Sequence, residues 1–166
     1  MSTIIMRVTP KDWNRIKTEL LGIEKQIFGD IAFDEECFET FKHQNAFNLI
    51  VYSHGRIIGY LMSQKLSASG VHCGMKGKDK IFYLESVGIL SKYRGKGIGK
   101  TLFEKFLLYG KRVGCTAYLL DTREEPMIRL AQRHGFRTVS INTKHFWDGK
   151  KWSSANIMRK DLGEKK

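Results

Sequence analysis

Three glycines at alternate positions, with basic residues among and beside them, form the most constraining feature of this sequence. The stretch Ser91 to Thr101 reads Ser-Lys-Tyr-Arg-Gly-Lys-Gly-Ile-Gly-Lys-Thr. The apolar segment Ile81 to Leu90 precedes it, and an amphipathic helical pattern from Leu102 to Val113 follows it. A strand that turns through glycines into a helix exposes backbone N–H groups at the helix N-terminus, where they and the helix dipole attract anions. The sequence therefore predicts a phosphate-binding loop between a strand and a helix.

Two common nucleotide-binding loops do not fit this spacing. A Walker A loop has four residues between its first glycine and a Gly-Lys-Ser/Thr, and the spacing here is too short. A Rossmann loop has the pattern Gly-x-Gly-x-x-Gly near a chain start, with an acidic residue about 20 residues later. Here the glycines alternate without that gap, past the middle of the chain. A turn that merely links a strand to a helix is disfavoured, because it seldom needs three glycines and three cations.

The length of 166 residues predicts a single domain spanning residues 1–166, large enough to enclose a core. Hydrophobic residues make up 42% and charged residues 28% of the chain, which is typical of globular proteins. Charges interrupt every apolar run before it reaches membrane-spanning length, and the first residues lack the layout of a signal peptide. Three widely separated cysteines form neither a CxxC pair nor a disulfide framework. Together these features predict a cytoplasmic protein without a membrane partner.

Hydrophobic periodicity and turn residues predict strands and helices along the whole chain. Seven strands are predicted, at Ile4–Thr9, Ala46–Tyr52, Ile57–Leu66, Ile81–Leu90, Thr116–Asp121, Phe136–Phe146 and Lys151–Met158. Four helices are predicted, over Pro10–Phe28, from an Asp34 cap to Phe41, over Gly99–Val113 and over Glu124–His134. Ser67–Lys80 is predicted to be a flexible loop, and Asp148-Gly149 the turn between the last two strands.

The pattern Arg94-x-x-Gly97-x-Gly99 resembles the pyrophosphate loop of the GNAT superfamily, the acetyl-CoA-dependent N-acetyltransferases. The family signature is Gln/Arg-x-x-Gly-x-Gly/Ala, and all three fixed positions match. The order of elements also matches, and His134-Gly135-Phe136 resembles the Gly-Phe that closes the family's fourth helix. The resemblance implies an α/β GNAT fold, with a single mixed, mostly antiparallel central sheet flanked by helices. It also implies transfer of an acetyl group from acetyl-CoA to a primary amine, by direct attack in a ternary complex.

The resemblance assigns the acetyl-CoA contacts to this strand and loop. The backbone of Val87, Gly88 and Ile89 would pair with pantetheine, and Gly88 suits a bulge or a close backbone approach. The pyrophosphate would be held by the loop, with the backbone of Arg94, Gly95, Lys96, Gly97, Ile98, Gly99 and Lys100 and the hydroxyl of Thr101 taking part. Because CoA is a polyanion, part of the net charge of +12 is explained. The rest is predicted to be a solvated basic surface rather than a nucleic-acid site.

Acetyl transfer to an amine needs a group that takes the amine proton, and the resemblance offers two candidates. Glu85 occupies the offset before Arg94 at which polyamine acetyltransferases and other family members carry a catalytic base. Its alternative roles are binding a cationic substrate without taking its proton, and forming a structural ion pair. Asp121, at the end of the next strand, is the second candidate base, with helix capping or pairing with Arg123 as its alternative role.

One departure from the family concerns the general acid. Family members often carry Asn-x-x-Ala/Ser-x-x-x-Tyr in the fourth helix, with the tyrosine near the CoA sulfur. Here Glu124 replaces the asparagine and Ala131 replaces the tyrosine. Tyr83, another tyrosine or water would then protonate the leaving thiolate, unless no acid is needed.

The acceptor stays open between a small amine or polyamine, a protein N-terminus and a lysine. Glu85 favours a cationic small amine, whereas the net charge disfavours a highly cationic one unless acids line the cleft, the candidates being Asp34, Glu35, Glu36 and Glu39. The histidines and cysteines lack metal-ligand spacing, so no metal is predicted. A homodimer is a possible partner state, because family members use the region of the last hairpin for substrate or dimer contacts. A different class also stays open, a CoA-binding or nucleic-acid-binding module that is catalytically weak.

Overall fold

The computed structural model describes residues 3–43, 45–66, 80–147 and 150–163. The strands are β1 (Thr3–Val8), β2 (Asn48–Ser53), β3 (Arg56–Leu66), β4 (Ile81–Ile89), β5 (Ala117–Thr122), β6 (Arg137–Trp147) and β7 (Trp152–Asp161). The α-helices are α1 (Trp13–Phe28), α2 (Ile98–Arg112) and α3 (Glu125–Arg133). The predicted order of strands and helices is confirmed. The Asp148-Gly149 turn and nearly all of the predicted loop at Ser67–Lys80 lie outside the described residues.

The strands of the described chain form one mixed sheet of seven, in the order β1-β2-β3-β4-β5-β7-β6. The pairs β1–β2, β2–β3, β5–β7 and β6–β7 are antiparallel, whereas β4 and β5 run parallel. Parallel neighbours need a long crossover, and α2 lies in the segment between β4 and β5. The predicted α/β class with a mostly antiparallel sheet is confirmed.

The chain divides into two compact units, residues 1–64 with 85–106 and residues 65–84 with 107–166. In the first unit, Trp13, Ile16 and Leu20 recur at helical spacing and place one face of α1 in the core. That face packs with strand side chains that include Ile50 and Tyr60, both fully buried. Burial of these large apolar groups stabilises the unit, since each contributes about 1.5–3 kcal/mol on leaving water.

The second predicted helix forms in the first unit, but as a 3-10 segment over Glu36–Lys42 rather than an α-helix. The N-cap residue is Glu35 and not the predicted Asp34, although Asp34 Oδ1 accepts the backbone N–H of Cys37 at 3.1 Å. The backbone leaves helical geometry at Phe38, which is fully buried and packs 5.7 Å from the Tyr60 ring centroid. Burial of this aromatic ring prevails over regular helical spacing in so short a segment.

In the second unit, the C-terminal part of α2 packs closely on strand side chains. A Cβ at Gly110 would lie 2.4 Å from Cε1 of Tyr118 and 3.0 Å from Cδ1 of Phe82. The Tyr118 hydroxyl donates to the carbonyl of Leu107 in the same helix. Gly110 therefore permits a close approach of helix and strands that any larger residue would disturb.

Candidate active site

Two glycines of the glycine-rich loop hold a backbone conformation that other residues disfavour. Gly95 and Gly97 have φ of +74° and +80°, in the left-handed region that side chains disfavour. Neither residue has a neighbour within 4 Å of an added Cβ, so these two glycines are required for backbone conformation and not for space. Gly99 lies inside α2, where an added Cβ would meet only Ile89 Cδ1 at 3.4 Å.

The start of α2 presents backbone donors. Thr101 N–H donates to Gly97 O at 3.0 Å, which is the first turn of the helix. The N–H groups of the residues before it in the helix, Ile98 to Lys100, have no carbonyl in a preceding turn to accept them. Together with the helix dipole, these donors suit an anion such as a pyrophosphate.

Two side chains of the predicted loop donate hydrogen bonds to backbone carbonyl groups. Arg94 Nε donates to Ile89 O at 2.9 Å, which ties the loop to the end of β4. The Thr101 hydroxyl donates to Gly97 O at 3.2 Å. Two lysines flank the loop tyrosine, with Nζ of Lys92 and Lys96 at 5.2 and 5.3 Å from the Tyr93 ring centroid. The loop thus presents positive charge around a fixed backbone.

The final part of β4 extends beyond its pairing with β5. That pairing begins at Ile81 with Ala117 and ends at Leu84 with Leu120, whereas β4 continues to Ile89. An added Cβ on Gly88 would lie 2.7 Å from Tyr60 Cε1, so only glycine fits there. The predicted pantetheine strand thus has a fixed and closely packed backbone.

Glu85 is partly buried and has a defined partner. The side-chain amide of Gln64, on β3, donates to Glu85 Oε1. Gln64 was missed in the sequence analysis, although a polar residue that interrupts an apolar strand could have drawn attention to it. The hydrogen bond fixes the orientation of the carboxyl group.

On the side of β4 opposite to Glu85, three side chains of the same unit form a buried hydrogen-bonded network. The Tyr60 hydroxyl donates to Glu24 Oε2 at 2.5 Å and lies 2.8 Å from Ser86 Oγ. Glu24 Oε1 also accepts the backbone N–H of Phe33 at 3.1 Å. Glu24 is only 1% exposed and Tyr60 is fully buried. A carboxyl group of α1 is thereby linked through a tyrosine of β3 to β4.

We expect the Glu24→Gln variant to lose less stability than the wild-type protein as the pH rises. Burial raises the pKa of Glu24 above its ordinary value of 4.5, although hydrogen bonds from Tyr60 and Phe33 oppose the rise. The stability that this group contributes is complete below pH 4.5 and is lost as the pH passes through the raised pKa. The glutamine has no such titration, so the variant becomes more stable relative to wild type above that pH.

Urea unfolding from acid to neutral pH measures this difference, with the exposed Glu125→Gln variant as a control. A difference between wild type and Glu24→Gln that stays constant with pH would contradict the expectation.

In the second unit, three candidate residues for acid–base chemistry form a chain. The Tyr83 hydroxyl donates to Asp121 Oδ1 at 2.5 Å, and His145 Nε2 contacts Asp121 Oδ2. Asn142 Oδ1 accepts the backbone N–H of Lys144 at 3.1 Å, so its amide nitrogen faces His145 Nδ1 at 3.2 Å. This arrangement assigns the proton of the neutral imidazole to Nε2, where it is donated to Asp121. Two predicted residues, Tyr83 and Asp121, are therefore brought together.

His145 was missed in the sequence analysis, which considered histidines only as metal ligands. It lies on β6, where the pairing with β7 is irregular between Asn142 and Phe146. A bulge of this kind can redirect a side chain. Strand alternation alone could not place His145 beside Asp121.

Ala131, at the position where the family often has tyrosine, is fully buried in α3. Its small side chain cannot act as an acid. Glu124 precedes α3, and its backbone N–H donates to the Thr122 hydroxyl at 3.0 Å. The departure seen in the sequence is therefore a real change in the helix that follows β5.

The acids proposed to line an acceptor cleft are largely engaged with neighbours. Lys17 Nζ lies 3.3 Å from Glu35 Oε1, and Lys42 Nζ lies 2.5 Å from Glu39 Oε1. These ion pairs offset the charge of the two carboxylates. They reduce the negative potential that a polycationic acceptor would need in this segment.

Among residues 3–43, 45–66, 80–147 and 150–163, no group of three or more potential ligands could hold a metal ion. In the same ranges, no helix is long and apolar enough to cross a membrane.

A comparison with family models decides the family. The model of the acetyltransferase (GNAT) family matches residues 13–136, which include α1, the glycine-rich loop and α3. This chain belongs to the GNAT acetyltransferase family. The match makes it a GNAT-type acetyltransferase by family, and acetyl-CoA is the donor that the family uses. The last two strands, with His145, lie beyond the matched residues.

Solved structures share the GNAT fold over almost the entire chain. The ribosomal-protein-S18-alanine N-acetyltransferase from Escherichia coli is 16% identical, with a TM-score of 0.78 and 99% of each chain covered. Arabidopsis thaliana NAA60 in complex with acetyl-CoA is 20% identical, with a TM-score of 0.78, covering 97% of this chain and 99% of its own. Arabidopsis thaliana Naa50 with the bisubstrate analogue CoA-Ac-MVNAL is 15% identical, with a TM-score of 0.73, covering 98% of this chain and all (100%) of its own. At these identities the likeness establishes the fold alone.

Proposed function

We propose that this protein binds acetyl-CoA and transfers its acetyl group to a primary amine by direct attack in a ternary complex. The observation that carries the proposal is the loop at the start of α2, where Gly95 and Gly97 adopt positive φ ahead of a helical first turn. Membership of the GNAT family supports acetyl-CoA as the ligand of that loop. The extension of β4 past its last pair with β5 supports Val87, Gly88 and Ile89 as the pantetheine-binding backbone.

The acceptor that we propose to test first is the free N-terminus of a peptide. Two proteins of similar structure support a peptide acceptor. One is named a ribosomal-protein-S18-alanine N-acetyltransferase, and the other, Naa50, was solved with the bisubstrate analogue CoA-Ac-MVNAL. The ion pairs at Glu35 and Glu39 and the net charge of +12 argue against a polycationic amine. Lysine side chains and small amines remain arms of the test.

In the proposed reaction, Glu85 accepts a proton from the attacking amine. The amine nitrogen forms a bond to the acetyl carbon, and the bond from that carbon to sulfur breaks. Acetyl-CoA supplies the activated thioester, and the CoA thiolate leaves and takes up a proton. Tyr83, which Asp121 holds, is the proposed donor of that proton. Its hydroxyl donates to Asp121 before the reaction, turns to the thiolate to give up the proton, and regains one from water, to which Glu85 releases its own. Asp121 is also the second candidate base.

Release of CoA thiol from acetyl-CoA tests the function. We expect release to depend on an added amine and to be greatest with peptides that carry a free N-terminus. Peptides with a blocked N-terminus, free lysine derivatives and polyamines complete the panel. Binding of CoA without turnover on any amine would favour the catalytically weak CoA-binding module, and salt-sensitive retention of RNA or DNA would favour the nucleic-acid module.

We expect the Tyr83→Phe and Asp121→Asn variants each to lower kcat/KM by roughly tenfold or more, because general acid–base groups contribute on the order of a hundredfold or more. The double variant loses little beyond the larger single effect, since Asp121 acts through the Tyr83 hydroxyl that Tyr83→Phe removes. Steady-state kinetics of the four proteins measure the coupling. The exposed Asp30→Asn variant is the control, and fully additive losses would contradict a shared role.

A further inference from the structure

Tyr60, on β3, contacts β4 at two alternate positions, Ser86 and Gly88. The Tyr60 hydroxyl lies 2.8 Å from Ser86 Oγ, and its ring edge lies where a Cβ on Gly88 would come within 2.7 Å. Residues at alternate positions of a strand share one face. One fully buried side chain therefore supports the face of β4 opposite to Glu85, Val87 and Ile89.

Two residues of α1 fix the position of Tyr60. Its hydroxyl donates to Glu24 at 2.5 Å, so its single proton is committed, and Ser86 donates to the tyrosine oxygen. Ile27, also on α1, completes the contact, since a Cβ on Gly88 would lie 3.0 Å from Ile27 Cδ1. The position of the Tyr60 ring is thus fixed by the hydrogen bond to Glu24 and by packing beside Ile27.

The backbone of β4 is fixed at the same level by β3. A Cβ on Gly59, the neighbour of Tyr60, would lie 2.8 Å from Gly88 O. Leu90 N–H donates to Ile58 O at 3.0 Å, immediately beyond β4. Tyr60 and its neighbours Ile58 and Gly59 therefore fix the backbone from Ser86, in β4, to Leu90, just after it.

We propose that Tyr60, anchored by Glu24 and bonded to Ser86, is a positioning residue for acetyl-CoA, holding the β4 backbone in the place where pantetheine pairs with it. The inference rests on the proposed function, because that function assigns pantetheine to Val87, Gly88 and Ile89. Loss of the hydroxyl leaves the ring in place but removes the bonds to Ser86 and Glu24. The strand then gains freedom that ligand binding must remove, so the affinity for CoA falls.

The test compares CoA affinity in two tyrosine variants that each lose one buried hydroxyl. We expect Tyr60→Phe to raise the Kd for CoA about fivefold, as the loss of a typical hydrogen bond predicts. With a saturating amine, its KM for acetyl-CoA rises by a similar factor, while kcat stays within about twofold because Glu85 lies on the other face. Tyr118→Phe, which loses a bond to Leu107 in the second unit, leaves the Kd for CoA unchanged.

A second variant keeps the inference testable if Tyr60→Phe folds poorly. Ser86→Ala removes the same bond from the β4 side and is expected to raise the Kd in the same direction, without adding to the effect of Tyr60→Phe. Unchanged affinity in both variants, or an equal loss in Tyr118→Phe, would overturn the positioning role. Failure of the wild-type protein to bind CoA would instead overturn the proposed function itself.

Discussion

The Glu85→Gln variant is expected to lose roughly a hundredfold or more in kcat/KM for acetyl transfer at neutral pH, the range that general base catalysis supplies. The substitution is conservative in shape, because the new side-chain oxygen can still accept the Gln64 amide that binds Glu85 Oε1. It removes the negative charge and the capacity to take a proton. The loss should shrink as the pH rises, because more of the amine is then neutral before it binds.

A pH–rate profile with a primary amine measures this effect, together with CoA binding as a check on folding. The Glu125→Gln variant serves as a matched control, since Glu125 is an exposed acid of α3 that pairs with Arg129 at 3.2 Å. A pH–rate profile of Glu85→Gln that follows the wild type would remove Glu85 as the base. Weaker acceptor binding with an unchanged kcat would assign it to substrate binding instead.

The second large effect is expected at the loop. Gly97→Ala should raise the Kd for CoA about tenfold, because a side chain at φ of +80° costs about 1–2 kcal/mol. The alanine lets the loop relax away from this conformation, and ligand binding must then restore it. Gly99→Ala should cause a smaller loss, since that glycine lies inside α2 and an added Cβ would make an ordinary contact with Ile89.

The control for backbone strain is Gly114→Ala. Gly114 follows α2 with φ of +73° and also has nothing within 4 Å of an added Cβ. Both substitutions impose the same kind of strain, but only Gly97 belongs to the loop. Titration calorimetry with CoA separates the two, and equal affinities for Gly97→Ala and Gly114→Ala would show that the loop geometry does not serve CoA binding.

Local features of the chain were predictable from the sequence because local sequence determines them. The glycines from Gly95 to Gly99 predict a loop between a strand and a helix, and this stretch follows β4 and runs into the first turn of α2. The apolar spacing predicts a helix over Pro10–Phe28, and the observed α1 ends at Phe28 but begins at Trp13, after a 3-10 turn over Pro10–Asp12. The family resemblance predicts a mixed, mostly antiparallel sheet, and the observed sheet is of this kind, with β4 and β5 as its parallel pair.

The side-chain partners within each unit were beyond sequence reasoning. Gln64 contacts Glu85 across 21 positions of the chain, and Tyr60 contacts Glu24 across 36. His145 reaches Asp121 from a strand whose pairing is irregular, so its direction depends on a bulge that the sequence does not announce. The 3-10 form of Glu36–Lys42 likewise depends on the burial of Phe38 among distant aromatic rings.

The most direct test of the central claim is transfer of an isotopically labelled acetyl group. The protein is incubated with labelled acetyl-CoA and with each peptide or amine of the panel. The masses of the products are then measured by mass spectrometry. The account predicts that one labelled acetyl group appears on an amine nitrogen for each CoA thiol released, and that Glu85→Gln abolishes most of both. Tight binding of CoA with no labelled amine above the uncatalysed rate would contradict it.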